Sequence, residues 1–515
     1  SISAYFKHRN LNAQKTLPLA LLFFCISLVY HVLRCLKVTL VVKAAPGSGA
    51  EILPFLKIWV ILPASFFITW LYTKHAINKS ANSAIRFTLY SFMIFFILFI
   101  TVLYPYRDAF FIDSLLPLAQ DSAFAGIKGL INIFIYWPYT FFYICAEMWS
   151  TLVISILFWG FTNEISKTSE AKNYYALIGI GANVAGIFSG QIIANLSLSE
   201  KISFLNYGTT AWDQSVFLIL LSSIFISYAI LHIFNYLSKF QSSTEQKLKI
   251  KENKKTEGVS IFSSWLNMPK YANMIALIVI CYNIIYNLAD VIWAHQCSSR
   301  FTDPAMLNRY LGNLDTYTGI AALLISVFVF SPFIRRFGWK KTSIIPPVIW
   351  ALTTLGLFAA LNIESSGLKN SDFFHIILNM PILDLIMAAG TMQIFLGRAA
   401  KYTIFDQTKE MAYIPLPTEA KRKYKAVIDG LVSRLGKSIS SLLIQGLLIY
   451  SAGNLDIATP YAFTIIAITL CIWLISVLKL GTLYEDISSG KAVINNSVVN
   501  DNSQISIIAP EAKLI

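Results

Sequence analysis

The stretch Lys239-Phe-Gln-Ser-Ser-Thr-Glu-Gln-Lys-Leu-Lys-Ile-Lys-Glu-Asn-Lys-Lys255 lies near the middle of the 515-residue chain and decides how the rest of it is organised. This stretch is polar and rich in lysine, and the apolar runs 215–238 and 271–289 flank it. Each run is long enough, or nearly so, to cross a hydrocarbon core of about 30 Å as an α-helix. Residues 239–270 are therefore predicted to link two parts of the chain that are embedded in a membrane.

Further apolar segments follow outward from this linker in both directions. Apolar residues make up 56% of the chain and charged residues only 13%, whereas soluble domains carry about 25% charged residues. We identify six segments before the linker and six after it, at 17–42, 52–73, 86–105, 127–161, 174–196, 214–238, 271–296, 310–334, 342–362, 375–400, 424–451 and 460–482. The predicted fold is an all-α membrane protein with twelve transmembrane helices in two six-helix halves, similar to the major facilitator architecture.

The same pattern predicts the domain organisation. The N-terminal half covers 1–238, the linker 239–270 and the C-terminal half 271–484, and the Ser-, Asn- and Val-rich tail 485–515 is expected to be disordered. A short internal repeat supports the division into two halves. Thr168-Ser-Glu-Ala-Lys172 precedes the fifth segment, and Pro417-Thr-Glu-Ala-Lys421 precedes the eleventh.

The distribution of basic residues predicts which side of the membrane each loop faces. With a cytosolic N-terminus and twelve spans, the lysine-rich linker falls on the same side as Arg335-Arg336 and Lys340-Lys341. The opposite loops contain few cations, and this asymmetry is the positive-inside pattern. Trp137-Pro138 could divide the fourth segment into two short helices, but two spans there would place the later basic loops outside. We therefore expect one fourth span and cytosolic termini.

Four ionisable residues lie well within the predicted spans, where a charge is costly and usually faces a cavity. They are Lys37, Glu147, Asp290 and Lys437. Polar neighbours one turn away share their helix faces, among them Arg34, Tyr143, Asn287 and Arg434. Two interpretations stay open at this point. The charges can pair as structural salt bridges, or the cations of both halves can bind a polyanionic substrate in a central cavity while the acids neutralise them in its absence.

Other classes of function fit these residues less well. The net charge of +14 would suit a nucleic-acid partner, but the cations follow the membrane orientation, so none is expected. We find no metal-ligand cluster, no His pair and no nucleophile beside a base, which argues against an enzyme and against a cofactor. Gly436-Lys437-Ser438 is not a Walker motif, because Leu431 stands where a glycine is required.

Pro46-Gly47-Ser48-Gly49 is predicted to be a turn between the first two spans, since glycine tolerates positive φ.

Longer motifs run from the first predicted span to the eleventh. They are Leu36-Lys-Val-Thr-Leu-Val-Val-Lys-Ala-Ala-Pro-Gly-Ser-Gly-Ala-Glu51, Ala146-Glu-Met-Trp149, Leu157-Phe-Trp-Gly-Phe161, Gly179-Ile-Gly-Ala-Asn-Val184, Lys401-Tyr-Thr-Ile-Phe-Asp406, Lys409-Glu-Met-Ala-Tyr-Ile-Pro415 and Arg434-Leu-Gly-Lys-Ser438. With these motifs the chain resembles the nucleotide transporters of plastids and obligate intracellular bacteria, the ATP/ADP translocases. The resemblance covers nearly the whole chain.

The resemblance implies a transporter that exchanges ATP for ADP by alternating access, with no enzymatic activity and no cofactor. The charged residues that matter for transport in the family fall on the four found above. The predicted substrate-binding set is Lys37, Glu147, Asp290, Lys437, Arg434, Arg34, Tyr143, Asn183 and Asn287. The expected partners are a nucleotide (ATP, ADP or a related one) and the lipid bilayer, and a monomer is the simplest expectation for a state that the sequence leaves open. The expected location is the inner membrane of an intracellular bacterium or a related energy-importing membrane.

The chain departs from the family at two positions. The family usually has an acid after the first lysine, where this chain has Val38, and a glutamate where it has Asp290. These departures leave two alternatives open, a proton-coupled importer of other nucleotides such as GTP or UTP, and a carrier of NAD.

Overall fold

The computed structural model describes residues 2–76, 81–159, 161–162, 171–240, 268–365, 381–416, 421, 424–425 and 427–488. Every regular element in these ranges is helical. Most of the predicted linker and of the C-terminal tail lies outside the described residues, as do large parts of the two copies of the internal repeat.

Twelve longer helices are numbered here in chain order. They are α1 (Ile2–Thr39), α2 (Leu62–Ala76), α3 (Ala81–Leu98), α4 (Trp137–Met148), α5 (Ala171–Leu196), α6 (Ala211–Leu237), α7 (Lys270–Arg300), α8 (Pro304–Leu324), α9 (Ser331–Ser365), α10 (Ile382–Ala400), α11 (Ser433–Tyr450) and α12 (Leu455–Ser488). Shorter helices are Ile52–Phe55, Arg107–Phe110, Leu116–Gln120, Lys128–Ile135 and Asp406–Ala412. Gly338 has φ 74° and kinks α9 near its start.

Eight helical segments in the described ranges are long and apolar enough to cross a membrane, so the chain is a multi-pass membrane protein. Two further apolar helices, Ile52–Ile68 and Ile180–Leu196, are shorter. Within the spans, hydroxyl side chains donate to the carbonyl four residues earlier, as Ser223 and Ser227 do in α6. Such bonds satisfy polar groups inside a helix where lipid offers no partner. The all-helical fold class is confirmed, and the count of twelve spans stays a prediction.

The fourth predicted span is broken near its start. Tyr136 leaves the helical conformation, and the segments Ser122–Ile135 and Trp137–Ser155 meet at a bend of 83°. The helix Lys128–Ile135 has eight residues and is about 12 Å long, which is too short to cross the membrane. The segment 127–161 is therefore not one continuous helix, and the expectation of a single fourth span there stays a prediction. The crossing helix begins at Trp137, where Pro138 occupies the first turn without losing a helix hydrogen bond.

The predicted turn between the first two spans is confirmed. A wide π-helical segment, Leu40–Ala44, follows α1, and the next helix begins at Ile52. Gly47 between them has φ 65°, a conformation that costs glycine little and other residues more. The Tyr136 hydroxyl donates to the Pro46 carbonyl and holds this turn against the start of α4.

Contacts divide the chain into two compact units. Unit 1 comprises Ser1–Glu252 and Cys297–Leu323, and unit 2 comprises Asn253–Gln296 and Leu324–Ile515. In unit 1, α1 packs against α5 and α6, and α3 against α6. In unit 2, α9 packs against α10 and α12, and α11 against α12. Helix α8 belongs by contact to unit 1, although it follows the linker in sequence. The two six-helix halves are defined by order along the chain rather than by contact, and they stay a prediction.

Candidate functional site

The first charged group of unit 1 joins α1 to α4. Lys37 is buried near the end of α1 and forms an ion pair with Glu147 of α4. Its ammonium group also lies 4.7 Å from the centre of the Tyr143 ring, one turn before Glu147. The carboxylate offsets the cost of burying the ammonium, and the ring face adds a cation–π contact. The three predicted residues therefore lie together.

The second charged group of unit 1 joins α1 to α8. Arg34, one turn before Lys37, forms an ion pair with the buried Asp315. His31 Nδ1 lies 3.4 Å from the other carboxylate oxygen of Asp315. Asp315 was not among the predicted residues, although it stands in an apolar segment. The criterion that selected the other charges, their cost inside a membrane, also applies to it.

Polar contacts of α8 continue beyond this pair. Thr39 Oγ1 lies 3.2 Å from Asn308 Oδ1, and the Asn308 amide donates to Ser197 Oγ at 3.0 Å. The predicted residue Asn183 lies on α5, where its carbonyl oxygen would be 2.9 Å from a Cβ added to Gly319 of α8. The backbone of Asn183 thus belongs to a close helix crossing.

The charged group of unit 2 joins α7 to α10. Asp290 lies 3.6 Å from the guanidinium of Arg398 on α10. Arg398 Nε also donates to the Tyr286 hydroxyl at 3.2 Å, and its guanidinium carbon lies 5.7 Å from the centre of the Trp293 ring. Arg398 is buried and was not among the predicted residues. It occurs sixteen residues after Ile382 in an apolar helix, so the cost of its charge could have identified it.

The remaining predicted residues lie on α7 and α11 of unit 2. Asn287 donates to the Asn283 carbonyl at 2.7 Å, and the Asn283 amide reaches Ser433 Oγ at 3.4 Å. The helices touch closely here, because a Cβ on Gly436 would be 2.9 Å from Asn283 Cβ. Arg434 and Lys437 follow one turn apart on α11, and Lys437 is exposed.

Wide π-helical turns adjoin four of these charged residues in sequence. Leu40–Ala44 follows Lys37, Trp149–Phe158 follows Glu147, Lys401–Phe405 follows Arg398 and Val427–Val432 precedes Arg434. Such turns replace the regular hydrogen-bond ladder and are frequent at functional sites. Other π-helical segments, Phe99–Leu103 and Ile325–Phe330, do not adjoin the charged residues of the site, so the wide turns alone do not identify it.

These groups have the chemistry to bind a multivalent anion. A phosphate oxygen can replace a carboxylate oxygen as the partner of Lys37 or Arg398, since phosphates and carboxylates both accept charge-assisted hydrogen bonds from these cations. The carboxylates of Glu147 and Asp290 lie beside these cations as their ion-pair partners. Within the described ranges, no group of three or more His, Cys, Asp or Glu side chains could hold a metal ion.

Comparisons with known proteins identify the family of the chain. Residues 3–484 match the family model described as TLC ATP/ADP transporter. ADP,ATP carrier protein 1 of Chlamydia trachomatis is 37% identical over 93% of this chain and 90% of its own. The chloroplastic ADP,ATP carrier protein 1 of Arabidopsis thaliana is 33% identical over 92% of this chain and 75% of its own.

Solved transporter structures share the fold at low sequence identity. A bacterial homologue of the iron transporter ferroportin, in its inward-facing state, has a TM-score of 0.53 and 13% identity and covers 93% of this chain and 99% of its own. A D-xylose-proton symporter has a TM-score of 0.53 and 10% identity, with coverage of 91% and 97%. These likenesses bear on the fold alone and confirm the predicted fold class. By the family model and the identity to the two carriers, the chain belongs to the TLC ATP/ADP transporter family.

Proposed function

We propose that this protein exchanges ATP for ADP across a membrane by alternating access. The curated relatives are named ADP,ATP carrier proteins and cover most of the chain. The observation that carries the proposal is the ion pair between the buried Lys37 and the half-buried Glu147, a cation with an anionic partner in the protein itself. The chain transports its substrate without altering it chemically.

The ion pairs give exchange a physical basis. A nucleotide phosphate displaces Glu147 from Lys37, and the carboxylate takes the lysine back when the nucleotide leaves. The nine predicted residues form the substrate-binding set in this proposal. The basic ones, Arg34, Arg434 and Lys437 with Lys37, bind the phosphates, and Tyr143, Asn183 and Asn287 orient the base and the ribose. Glu147 and Asp290 restrain the cations between substrates.

The contact between Asp290 and Arg398 favours exchange over proton symport. The carboxylate of Asp290 already has a cationic partner in Arg398, as a gate residue that competes with the substrate requires. Proton-coupled import of another nucleotide would instead need an acid that is protonated in one stage of transport.

Counter-exchange in proteoliposomes tests the proposal. The purified protein is reconstituted into vesicles loaded with ADP or left empty, and labelled ATP, ADP, GTP, UTP and NAD are offered outside. We expect ATP and ADP to enter loaded vesicles only. Entry into empty vesicles driven by a pH gradient, or a preference for GTP, UTP or NAD, would reject ATP/ADP exchange in favour of the corresponding alternative.

The proposed location is the inner membrane of an intracellular bacterium or a related energy-importing membrane, with both termini in the cytosol. The positive-inside distribution of the loops supports the orientation. The substrate is taken up by a monomer in the simplest form of the proposal.

A further inference from the structure

One of the longer motifs, Lys409-Glu-Met-Ala-Tyr-Ile-Pro415, has no task in the proposed binding of nucleotide. It begins in the short helix Asp406–Ala412, which follows α10 in unit 2. Tyr413, the next residue after this helix, is fully buried. The motif thus forms part of the packed interior of unit 2, and its charged residues stand at the edge of that interior.

Side chains of two long helices hold the short helix in place. The hydroxyl of Tyr271 on α7 donates to the Ala412 carbonyl at 2.8 Å. The indole of Trp339 on α9 donates to the Thr408 carbonyl at 2.9 Å. All four residues are buried, so both hydrogen bonds are shielded from water and are stronger for it. The short helix is therefore fixed relative to α7 and α9.

Lys409 connects this fixed helix to the segment that leads into α11. Its ammonium group lies 2.8 Å from the carboxylate of Asp429, which belongs to the π-helical segment Val427–Val432. Glu410 is a second acid near the same ammonium group, at 3.9 Å. The side chain of Lys409 is 17% exposed and that of Asp429 is 32% exposed. The pair is thus partly shielded from water, and it contributes more than a fully exposed pair would.

The π-helical segment continues into α11 without a break. Its last residue, Val432, has the helical angles φ −63° and ψ −40°. Arg434 and Lys437 follow Asp429 by five and eight residues, a rise of about 8 and 12 Å along the helix. One side of the segment is open, since no heavy atom lies within 4 Å of a Cβ added to Gly430. The ion pair to the short helix therefore restrains the direction in which α11 begins.

We propose that Lys409 is a positioning residue for nucleotide transport. Through its ion pair with Asp429 it sets the direction of α11, and so the places of Arg434 and Lys437. The inference rests on the proposed function, in which these two cations bind phosphate. Because the effect passes through the ion pair, removing either partner has the same consequence.

The first test compares Asp429→Asn and Lys409→Gln with the wild type in the exchange assay. Each variant removes the ion pair, so KM for ATP rises by about three- to tenfold in both. The matched control is Asp406→Asn. Asp406 lies 3.0 Å from Lys401 and is 38% exposed, but this pair joins two residues of the segment after α10 rather than the short helix to α11. The control keeps the KM of the wild type.

Two results of this comparison overturn the positioning role. A similar rise of KM in Asp406→Asn would mean that any lost ion pair in this region disturbs transport. A rise for Lys409→Gln with a normal KM for Asp429→Asn would mean that the lysine acts without its partner, by contacting phosphate itself.

A double-mutant cycle with Lys437→Ala separates positioning from a general loss of stability. Substitutions more than about 10 Å apart normally have additive free-energy effects, so their factors on KM multiply. If the ion pair places the cations of α11, Asp429→Asn raises KM less in the Lys437→Ala background than in the wild type, because one of those cations is gone. Full multiplication of the two factors contradicts the inference. A lower melting temperature of Asp429→Asn with an unchanged KM contradicts it as well.

The shift of the melting temperature by ATP in detergent distinguishes this inference from the proposed function, since a bound nucleotide stabilises the folded protein. If the wild type shows neither exchange nor a shift, the proposed function fails and the positioning role fails with it. If the wild type shows a shift without exchange, only exchange is rejected, and a smaller shift in Asp429→Asn still supports the positioning role. If the wild type exchanges ATP and Asp429→Asn has the same KM and the same shift, the inference alone fails.

Discussion

Lys37 and Lys437 are both predicted site residues within predicted spans, but they differ in burial. Lys37 is 6% exposed and held by Glu147, whereas Lys437 is exposed on α11. A buried cation and its carboxylate depend on each other for stability, and removing one of them leaves the other uncompensated. An exposed lysine has no comparable effect on folding. The two positions therefore offer a way to distinguish transport from stability.

We expect Lys37→Ala to lower both stability and transport, because the half-buried carboxylate of Glu147, whose side chain is 30% exposed, loses its ion pair with the lysine. The loss in unfolding free energy is smaller than the about 3–5 kcal/mol of a fully buried ion pair, because the side chain of Glu147 is partly exposed. Adding Glu147→Gln recovers most of the stability and none of the transport.

Lys437→Ala changes the melting temperature little and raises KM for ATP about tenfold. Thermal unfolding in detergent and exchange in vesicles measure the two properties. Recovery of transport in the Lys37→Ala, Glu147→Gln double variant would mean that the pair is purely structural.

Asp315 is expected to be structural rather than substrate-binding. It is buried and contacts both Arg34 and His31, so Asp315→Asn removes the negative charge from a group with two basic neighbours. Stability falls by about 3–5 kcal/mol, the usual cost of breaking a buried ion pair. Asp121→Asn is the control, since Asp121 is exposed and caps a helix turn through Ala123, a task that Asn performs equally well. A normal melting temperature for Asp315→Asn would contradict the expectation.

The sequence identified charged residues better than it identified their partners. The cost of a charge in lipid is a property of one position, so Lys37, Glu147 and Asp290 stood out directly. Which side chain neutralises each of them depends on the packing of distant helices. Arg398 also stands in an apolar helix, so the cost of its charge could have identified it, but its pairing with Asp290, 108 positions away, could not be read from either position.

At the scale of helices, α5 and α8 touch through their backbones. A Cβ on Gly190 would lie 2.3 Å from the Gly312 carbonyl oxygen and 2.2 Å from Thr316 Oγ1. A Cβ on Gly312 would meet the Gly190 carbonyl at 2.8 Å. Small residues permit such close approach between membrane helices, where packing rather than a hydrophobic effect drives association. The crossing explains why α8 groups with unit 1.

Gly190→Ala is expected to destabilise the protein, because the added methyl group meets backbone that cannot move aside. Overpacking of this kind costs about 1–3 kcal/mol. Gly356→Ala in α9 is the matched control, since no heavy atom lies within 4 Å of its added Cβ. Alanine there gains up to about 1 kcal/mol of helix propensity. Melting temperatures of the two variants should shift in opposite directions, and equal shifts would refute the crossing.

The boundaries of the helices were predicted less well than their existence. Apolar length predicts a crossing segment, but it does not distinguish a straight helix from a bent one. The break at Tyr136 depends on contacts that are distant in sequence, since Tyr136 donates to Pro46 and the Trp137 indole donates to the Phe110 carbonyl at 2.7 Å. Trp137-Pro138 did mark the position of the break. The sequence could not show that the residues before it turn by 83°.

At the scale of the whole molecule, the expected orientation of the chain in the membrane rests on the positions of the basic residues in its loops. Helix α6 has 27 residues and is about 40 Å long, so it exceeds the hydrocarbon thickness of about 30 Å. Its two ends differ sharply. The first turn is closed by a capping box between Thr210 and Asp213, and the lysine-rich stretch begins two residues after its end, at Lys239.

We expect the two ends of α6 to face opposite sides of the membrane, with Lys239 in the cytosol. Single cysteines are introduced as Asn206→Cys and Lys239→Cys in a variant whose six native cysteines are replaced by serine. Both positions are exposed, so a difference in labelling reports the side rather than burial. An impermeant maleimide added to intact bacterial host cells should label Asn206→Cys at once and Lys239→Cys only after the membrane is permeabilised. Retained ATP/ADP exchange in both variants shows that they are folded. The reverse pattern would invert the topology, and equal labelling from outside would mean that α6 does not cross. The positive-inside rule concerns loops close to the ends of spans. Finding which side of the membrane each end of α6 faces therefore also tests the expected orientation of the other loops on those two sides.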